Sequence, residues 1–451
     1  MVAIVPIDTP SLGDRSYLAH DGEVALVVDS QRDVDRVLAV AEREGVRITH
    51  VFETHIHNDY VTGGRALANE TGATYHVNAD DEVSFERVGV RDGDVVTVGS
   101  MSVTVLATPG HTFTHLSYAL AGDEGPIGVF SGGSLTFGST GRPDLLGEEN
   151  TDALVHHQYD SVQRLASELP DEAQVLPTHG FGSFCSATQS DADSSTIGTE
   201  KRTNPALTKS EDEWVEEILA GLSEWPAYYA HMGPANADAP QDAPDLTLPA
   251  TVDKDEIRAS LEAGEWVVDL RNREAYAKGH VGRTVNFGVD GQFATYLGWI
   301  MPWGASLTLL GDSPEQVAEA QRELVRIGIE RLRGQATGAP QEWTDEALQS
   351  FERARFADLA QVRHHREVTV LDVRRADEFG PSHIDGAVNV PLHDVLERLD
   401  EIPSGELWVH CAGGYRASIA SSLLAAAGHH VVAVDDSFAN AAETGLSLVA
   451  G

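Results

Sequence analysis

Apolar and polar positions follow strand and helix periods in turn along the first part of the chain. An apolar run at 24–29 predicts a short strand, and helical spacing at 34–44 predicts a helix after it. Two apolar stretches within 95–107 flank a Gly-Ser pair, which predicts a β-hairpin. Helical spacing recurs at 214–222. The pattern therefore indicates a mixed α/β fold up to about residue 185.

The last part of the chain repeats itself after a polar segment at 236–245, whose Ala, Asp and Pro content predicts a linker. The segment 267–271 recurs 103 residues later as 370–374, and so do 279–281 and 285–287. A constant offset predicts a tandem duplication. Strand and helix alternate in each copy, which predicts a small parallel α/β sheet.

Charge changes the list of possible partners. The chain has 71 acidic and 31 basic residues in 451, for a formal net charge of −40. Such a surface repels nucleic acid and anionic membranes. We expect adaptation to a salt-rich, halophilic cytoplasm, where screening removes self-repulsion, rather than a basic partner. Folding should then be poor at low salt.

Cysteine content and hydropathy bound the compartment. Cys185 and Cys411 are the two cysteines, too few for a disulfide framework and typical of a reducing cytosol. The first residues lack the basic and apolar parts of a signal peptide, and apolar runs are shorter than a membrane span. The sequence predicts a cytoplasmic protein with Cys185 as a buried, inert thiol.

Three histidine clusters carry the candidate chemistry of the N-terminal part. His55, His57 and Asp59 follow an apolar run, and His111 and His179 each follow another run beside Gly or Pro. Strand ends that converge on one edge of a sheet would bring these side chains together, which is how proteins build a mononuclear or dinuclear metal site. The alternative is that they are surface or core histidines.

The second C-terminal copy carries a candidate nucleophile. An apolar strand at 407–410 ends at Cys411, a Gly-rich loop follows, and a small-residue helix is predicted at 417–427. Backbone amides and the helix dipole would lower the pKa of the thiol, and Arg416 would add positive charge. In the first copy Gly311 stands where Cys411 stands, so that copy is predicted to be inactive.

The motifs at 372–374, 383–389 and 411–416 resemble those of the rhodanese sulfurtransferase family. The resemblance implies that Cys411 carries a persulfide sulfur cradled by the loop amides, with Gly413 and Gly414 at the substrate. Predicted domains are a metal domain at 1–240, an inactive rhodanese-like domain at 248–345 and an active one at 353–451.

The His-x-His-x-Asp signature and Pro-Gly-His111 resemble the metallo-β-lactamase fold, an αββα sandwich, and more narrowly its persulfide dioxygenase branch. That resemblance implies one Fe(II) per chain, held by His55, His111 and an Asp within 130–135. Here Gly133 stands at the Asp position. Asp59, His57 or His179 could complete the site, water or an anion could fill it, or it could be empty.

Two other residues bear on the reaction. Tyr60 stands where two-zinc hydrolases of this fold carry a His, which argues against a dinuclear site. It could donate a hydrogen bond to substrate or oxygen, or pack under the turn. Arg142 could form an ion pair with Asp144 or face an anionic substrate.

The resemblances together imply a persulfide dioxygenase of sulfide metabolism. It would oxidise a low-molecular-weight thiol persulfide to sulfite, and Cys411 would exchange sulfur between persulfide, sulfite and thiosulfate. One alternative is a zinc thioester hydrolase of glyoxalase II type with an accessory sulfurtransferase. Another is a sulfur carrier with a degenerate metal domain. A homo-oligomer is possible.

Overall fold

The chain forms two compact units in a computed structural model that describes residues 2–188, 190 and 192–451. The first unit comprises Met1–Asp245 with Val325–Gly328, and the second comprises Leu246–Leu324 with Ile329–Gly451. Met1, where the first predicted domain begins, lies outside the described residues. Because both repeat copies fall in one unit, the boundaries at 248–345 and 353–451 stay predictions. Among the described residues, every helix is too short or too polar to cross a bilayer.

The first unit is built on two six-stranded sheets with helices on their outer faces. The strand order is β1-β2-β3-β4-β5-β6 in one sheet and β12-β11-β10-β9-β8-β7 in the other. The strands are β1 (Ala3–Thr9), β2 (Asp14–His20), β3 (Val24–Val28), β4 (Arg47–Phe52), β5 (Thr74–Asn78), β6 (Val88–Val90), β7 (Val95–Val98), β8 (Met101–Ala107), β9 (Leu116–Gly122), β10 (Gly125–Gly132), β11 (Gln174–Pro177) and β12 (Ser195–Thr196). The helices are α1 (Asp35–Glu44), α2 (Gly64–Thr71), α3 (Glu148–Glu168), α4 (Ile197–Thr203), α5 (Pro205–Thr208), α6 (Glu211–Gly221) and α7 (Tyr229–Asp238).

Three apolar clusters hold these four layers together. The central cluster joins residues of both sheets, including Phe52 and Phe130. One outer cluster packs α1 and α2 on the first sheet through Val37 and Leu67, and the other packs α3 and α6 on the second sheet. Burial of both sheet faces explains why strands such as β3 are almost wholly apolar.

Strand direction brings the candidate ligands to one edge. β3 and β4 are parallel, and so are β10 and β11. β8 and β10 both run antiparallel to β9, so they share a direction. His55, His111 and His179 follow the ends of β4, β8 and β11. The convergence predicted from the sequence is thus a result of strand order.

The second unit contains two parallel sheets, in the orders β14-β13-β15-β16 and β17-β22-β21-β18-β20, and a two-stranded ribbon β19-β23. Its strands are β13 (Trp266–Asp269), β14 (Val285–Asn286), β15 (Leu307–Gly311), β16 (Gly334–Thr337), β17 (Glu352–Ala354), β18 (Thr369–Asp372), β19 (His383–Ile384), β20 (Val388–Asn389), β21 (Glu406–His410), β22 (His430–Val434) and β23 (Leu448–Val449). The helices are α8 (Lys254–Glu262), α9 (Arg273–Lys278), α10 (Phe293–Ile300), α11 (Pro314–Arg326), α12 (Phe356–Arg363), α13 (Ala376–Phe379) and α14 (Tyr415–Ala426), with 3-10 turns at Pro340–Glu342, Leu392–Asp394, Leu399–Glu401 and Phe438–Thr444.

The sequence repeat is also a repeat of hydrogen bonds. Arg271 pairs with Asp269 at 2.6 Å and donates to the Gly279 carbonyl at 2.9 Å. Arg374 pairs with Asp372 at 2.6 Å and donates to the Ser382 carbonyl at 2.8 Å. Each motif clamps the end of a central strand to the following turn. The predicted parallel α/β organisation of both copies is confirmed.

Most predicted elements of the first unit are confirmed. The strand at 24–29, the helix at 34–44 and the hairpin at 95–107 correspond to β3, α1 and the pair β7–β8. The predicted helix at 214–222 begins earlier, as α6, because Ser210 and Glu213 form a capping box at its start.

The linker prediction at 236–245 is wrong at its start. Asn236 lies in α7 and is buried. Its side-chain amide donates to the carbonyls of His57 and Tyr60, each at 2.8 Å, and its Oδ1 accepts from Thr62 N at 2.8 Å. A single Asn in a polar run thus satisfies three buried backbone groups of the histidine loop, which composition could not reveal.

Replacing Asn236 by Ala should destabilise the first unit by about 3 kcal/mol, because three hydrogen bonds are lost and the loop groups stay buried. The exposed Asn69 on α2 is the control, and its Asn69→Ala variant should change stability by less than about 0.5 kcal/mol. Urea unfolding of the full chain at constant high salt, followed by tryptophan fluorescence, measures both. Equal losses would contradict the clamp.

Candidate metal centre and thiol site

Three buried imidazoles form the core of the candidate site. His55, His111 and His179 each offer a ring nitrogen, and these nitrogens all lie within 4.8 Å of one another. The three rings are at most 1% exposed. They come from loops after three different strands, as the sequence predicted. Whether each ring can bind a metal ion depends on which of its two nitrogens is already hydrogen-bonded.

The ring of His55 is fixed through Thr54 and Asp29. The Thr54 hydroxyl donates to Asp29 Oδ2 at 2.7 Å, so it can only accept from His55 Nδ1, 2.9 Å away. The same carboxylate accepts from Thr54 N at 2.7 Å and from the hydroxyl of Thr178. Nε2 is therefore the free nitrogen of His55.

The other two rings are fixed in the same way. His111 Nδ1 donates to the Arg142 carbonyl at 2.8 Å. His179 Nδ1 lies 2.9 Å from Asp14 Oδ1 and 3.2 Å from Asp59 Oδ2. Metal-binding histidines typically donate their second ring N–H to a carbonyl or carboxylate in this manner. Each ring therefore turns its Nε2 away from these supporting groups.

The free nitrogens fit a bound cation. His55 Nε2 and His179 Nε2 face each other at 3.3 Å, and His111 Nε2 is buried with no hydrogen-bond partner among the described residues. Either a proton on His179 Nε2 or a metal ion can lie between two nitrogens at this separation. Two imidazole nitrogens bound to one tetrahedral ion at about 2.1 Å would be roughly 3.4 Å apart. The set suits a divalent metal such as iron or zinc.

The three imidazoles differ in the direction in which their surroundings shift their pKa values. Burial lowers the pKa of His111 to about 3, and burial with neighbouring imidazoles holds the pKa of His55 well below its usual value. Burial opposes the charge on His179 too, but Asp59 and Asp14 raise its pKa to about 10. At pH 7 the imidazoles of His55 and His111 are therefore neutral, so each can give an electron pair to a metal ion, as metal binding requires.

His57, Asp59 and Tyr60 lie beside this set rather than in it. His57 Nε2 is 2.9 Å from the Tyr60 hydroxyl, 3.3 Å from Asp29 and 3.4 Å from Glu53. Despite burial, the two carboxylates raise the pKa of His57 to about 9. His57 also forms a possible metal group with Asp59 and His179. Tyr60 is fully buried, as expected if its side chain packs under the turn.

Arg142 has its side chain fully engaged. The guanidinium binds Asp144 through two contacts of 2.7 Å and donates to the Ser223 carbonyl at 2.5 Å. The side chain of Arg142 thus forms the ion pair with Asp144 that was one of its two predicted roles. The backbone carbonyl of Arg142 orients His111. Substrate binding by Arg142 and Tyr60 stays a prediction.

Gly133 lies directly against the ring of His111. A Cβ atom at Gly133 would stand 2.5 Å from His111 Cδ2, and one at Gly141 would stand 2.8 Å from His111 Nδ1. Gly141 N donates to the Gly133 carbonyl at 2.7 Å. The space that a side chain at 133 would need is filled by an imidazole.

Three residues that support the site were missed in the sequence. Asp14 and Asp29 orient the rings of His179 and His55. His115 stacks on His55 with ring centroids 4.9 Å apart and accepts from Gly133 N at 3.0 Å. Asp29 could have been found as a carboxylate at the end of an apolar strand, and His115 by its position four residues after His111.

The thiol site lies at the turn between β21 and α14. Cys411 is 2% exposed, and its Sγ accepts from Gly414 N at 3.1 Å and from Ala417 N at 3.3 Å. Gly414 has φ +94°, which favours glycine, whereas Gly413 is exposed. The predicted cup of amides around the sulfur is thus present through Gly414 and Ala417.

Charge at the thiol is balanced by an ion pair. The guanidinium of Arg416 binds Glu378 at 2.5 and 2.7 Å, and it also interacts electrostatically with Cys411. In the first copy, Gln316 closes the corresponding loop, since its Oε1 accepts from Asp312 N at 2.8 Å and its amide donates to the Leu270 carbonyl at 3.1 Å. That loop holds a side-chain amide beside Gly311 instead of a thiol.

Comparison with known proteins identifies a family for each of the two parts of the chain that carry these residues. The metallo-beta-lactamase superfamily matches residues 15–179, and the rhodanese-like domain family matches residues 356–443. The hydroxyacylglutathione hydrolase of Pseudomonas entomophila (strain L48) is 32% identical over 237 residues, 44% of this chain and 88% of that protein. Two such hydrolases of Rhodopseudomonas palustris are matched over only about half of their length, 48%.

One solved structure supports the first of these two matches. A metallo-beta-lactamase from Staphylococcus aureus subsp. aureus COL is 30% identical, with a TM-score of 0.66 over 75% of this chain and 99% of that one. ETHE1 from Myxococcus xanthus is 31% identical, with a TM-score of 0.45 over 52% of this chain and 98% of that one. The resemblances seen in the sequence are confirmed at the level of these two folds. The chain belongs to the metallo-β-lactamase superfamily, and its metallo-β-lactamase domain is followed by a rhodanese-like domain.

Proposed function

We propose that this protein is a persulfide dioxygenase coupled to a sulfurtransferase. The N-terminal domain oxidises the outer sulfur of a low-molecular-weight thiol persulfide to sulfite, and Cys411 exchanges sulfane sulfur with the product. The observation that carries the first half is a buried set of three imidazoles whose ring nitrogens lie within 4.8 Å of one another, with His111 Nε2 unpartnered among the described residues. The second half rests on the amide-lined sulfur of Cys411.

A single ion per chain is supported by Tyr60, which stands where two-zinc hydrolases of this fold carry a His. His57, Asp59 and His179 form another possible metal group, in which His57 Nδ1 and Asp59 Oδ1 are buried with no hydrogen-bond partner among the described residues, so metal content decides between one ion and two. Asp59 lies 3.2 Å from His179 Nδ1, so it supports a ligand of the first set. A mononuclear centre with open positions suits binding of substrate and O₂ together, whereas thioester hydrolysis in this fold uses two ions.

The overall oxidation is RSSH + O₂ + H₂O → RSH + SO₃²⁻ + 2 H⁺. Iron(II), when bound, would supply the electrons that activate O₂. The chain's own part is to keep three imidazoles aligned through Thr54, Arg142 and Asp14, and to hold the site among buried residues. Burial limits the entry of water, which competes for open positions.

The transfer step uses the thiol of Cys411. A Cys411 persulfide loses its outer sulfur to sulfite: the Cys–S–SH bond breaks, a new S–S bond forms thiosulfate, and Cys411 leaves as a thiolate. The amides of Gly414 and Ala417 stabilise that thiolate, and Arg416 adds positive charge. The reverse reaction loads Cys411 from thiosulfate. One chain that carries both sites would raise the local concentration of the shared product.

A thioester hydrolase is the second candidate. The relative named hydroxyacylglutathione hydrolase, 32% identical over 237 residues, favours it. The two candidates differ in metal content and in reactant. A hydrolase of this fold needs two ions and a thioester, whereas the proposed dioxygenase needs one iron, O₂ and a persulfide.

The full chain loaded anaerobically with Fe(II) at high salt should bind about one iron and consume O₂ when glutathione persulfide is added, with one sulfite formed per O₂. Removing iron with a chelator should abolish uptake, because the three imidazoles alone activate no oxygen. An oxygen electrode and sulfite analysis measure this. Hydrolysis of a glutathione thioester by protein holding two zinc ions, with no oxygen uptake by the iron form, would contradict the proposal.

Cys411→Ser should lower sulfur transfer from thiosulfate to cyanide at least 10³-fold, because the carrier thiolate is lost. Oxygen uptake should stay within twofold of the unchanged chain. The matched control is Cys185→Ser, which alters the other thiol. Thiocyanate formation and oxygen uptake are measured on the same preparations. Sulfur transfer that survives in Cys411→Ser would exclude this thiol as the carrier.

A further inference from the structure

Gly133 and His115 together occupy the place where the resemblance to persulfide dioxygenases expects a carboxylate ligand. The backbone of Gly133 is outside the left-handed region, so its φ does not require glycine there. The requirement is one of space, because a Cβ atom would stand 2.5 Å from Cδ2 and 2.7 Å from Cγ of His111. Any side chain at 133 therefore has to displace that imidazole.

His111 has little room to move away from position 133. Its Nδ1 is hydrogen-bonded to the Arg142 carbonyl at 2.8 Å, and Gly141 lies against the ring. Gly141 N is itself bonded to the Gly133 carbonyl at 2.7 Å. The two glycines and the bonded carbonyl thus form a slot that fits one imidazole.

His115 fixes the other side of this slot. Its ring stacks on His55 at a centroid distance of 4.9 Å and an interplanar angle of 25°. Its Nε2 accepts from Gly133 N at 3.0 Å, and its Nδ1 is 2.9 Å from the Thr108 hydroxyl. The buried ring of His115 therefore contacts one ligand, His55, and also hydrogen-bonds Gly133, the residue that leaves space for His111.

We infer that this domain holds its ion with three imidazoles and no carboxylate, and that Gly133 and His115 are the positioning residues that make this set possible. Gly133 is then part of a working site rather than a lost ligand. The carboxylates of Asp14 and Asp59 contact His179 at its Nδ1, not at its Nε2. The inference rests on the metal site of the proposed function.

Cobalt(II) binding to the metal-free full chain tests this without any enzymatic reaction. Replacing Gly133 by Asp offers the carboxylate that the resemblance expects, and Gly133→Ala adds the Cβ atom alone. Both should raise the dissociation constant at least tenfold, because each displaces His111. Gly221→Asp is the control, since nothing lies within 4 Å of a Cβ atom at that position. Tighter or unchanged cobalt binding by Gly133→Asp would overturn the inference.

His115→Gln should weaken cobalt binding about tenfold, because the stacking on His55 is lost. Its matched control is His76→Gln, which removes another buried imidazole, one stacked on Phe52. Equal binding by these two variants would exclude His115 as a positioning residue. The X-ray absorption fine structure of cobalt bound to the unchanged chain should show three imidazole ligands. A protein carboxylate among the ligands would also overturn the inference.

The outcomes separate this inference from the proposed function. If the unchanged chain binds no cobalt, both fail. If it binds one ion and the Gly133 and His115 variants match their controls, the inference alone fails. If the variants weaken cobalt binding as expected but the iron form consumes no O₂ with persulfide, the proposed oxidation alone fails. Circular dichroism at high salt confirms that each variant is folded before titration.

Discussion

The carboxylate of Asp29 is the group on which the geometry of the histidine site depends. It follows β3 with φ +54°, an uncommon conformation for a residue other than glycine. It accepts from Thr54, which fixes His55, and from Thr178, which precedes His179, and it lies 3.3 Å from His57. Despite the burial penalty, His57 and these donors hold the pKa of Asp29 below its usual value. One buried charge therefore sets the tautomer of His55 and binds the residue before His179, so it links two of the histidine loops.

In the C-terminal part, the two copies of the repeat share the same ion pairs but carry different loops. The ion pairs Asp269–Arg271 and Asp372–Arg374 have the same length of 2.6 Å and clamp equivalent strand ends. The loops that follow the neighbouring strands differ, with Gln316 filling one and the sulfur of Cys411 filling the other. Stability and chemistry therefore reside in separate positions of the repeat, which explains how one copy can lack a thiol and keep its fold.

Much of this architecture could be predicted from the sequence, because hydrophobic period and repeated motifs are local signals. The strand at 24–29, the hairpin, the two parallel copies, the convergence of His55, His111 and His179, and the loop of Cys411 are of this kind. Side-chain orientation is not local. Whether His57 faces the cluster or Glu53, and whether Arg142 pairs with Asp144, depends on residues brought together by tertiary packing. The support given by Asp14, 165 residues from His179, has the same origin.

The bonds of Asn236 bear on when the histidine loop can form during synthesis. They join the loop after β4 to α7, across 179 residues of sequence between His57 and Asn236. Contacts of such separation are slow to form, because the intervening chain must be ordered first. A nascent chain that has left the ribosome only as far as His179 holds all five side chains, His55, His57, Asp59, His111 and His179, yet lacks α7, whose Asn236 bonds the backbone of the first loop. The backbone groups of His57, Tyr60 and Thr62 can therefore gain these hydrogen bonds only after synthesis has passed α7.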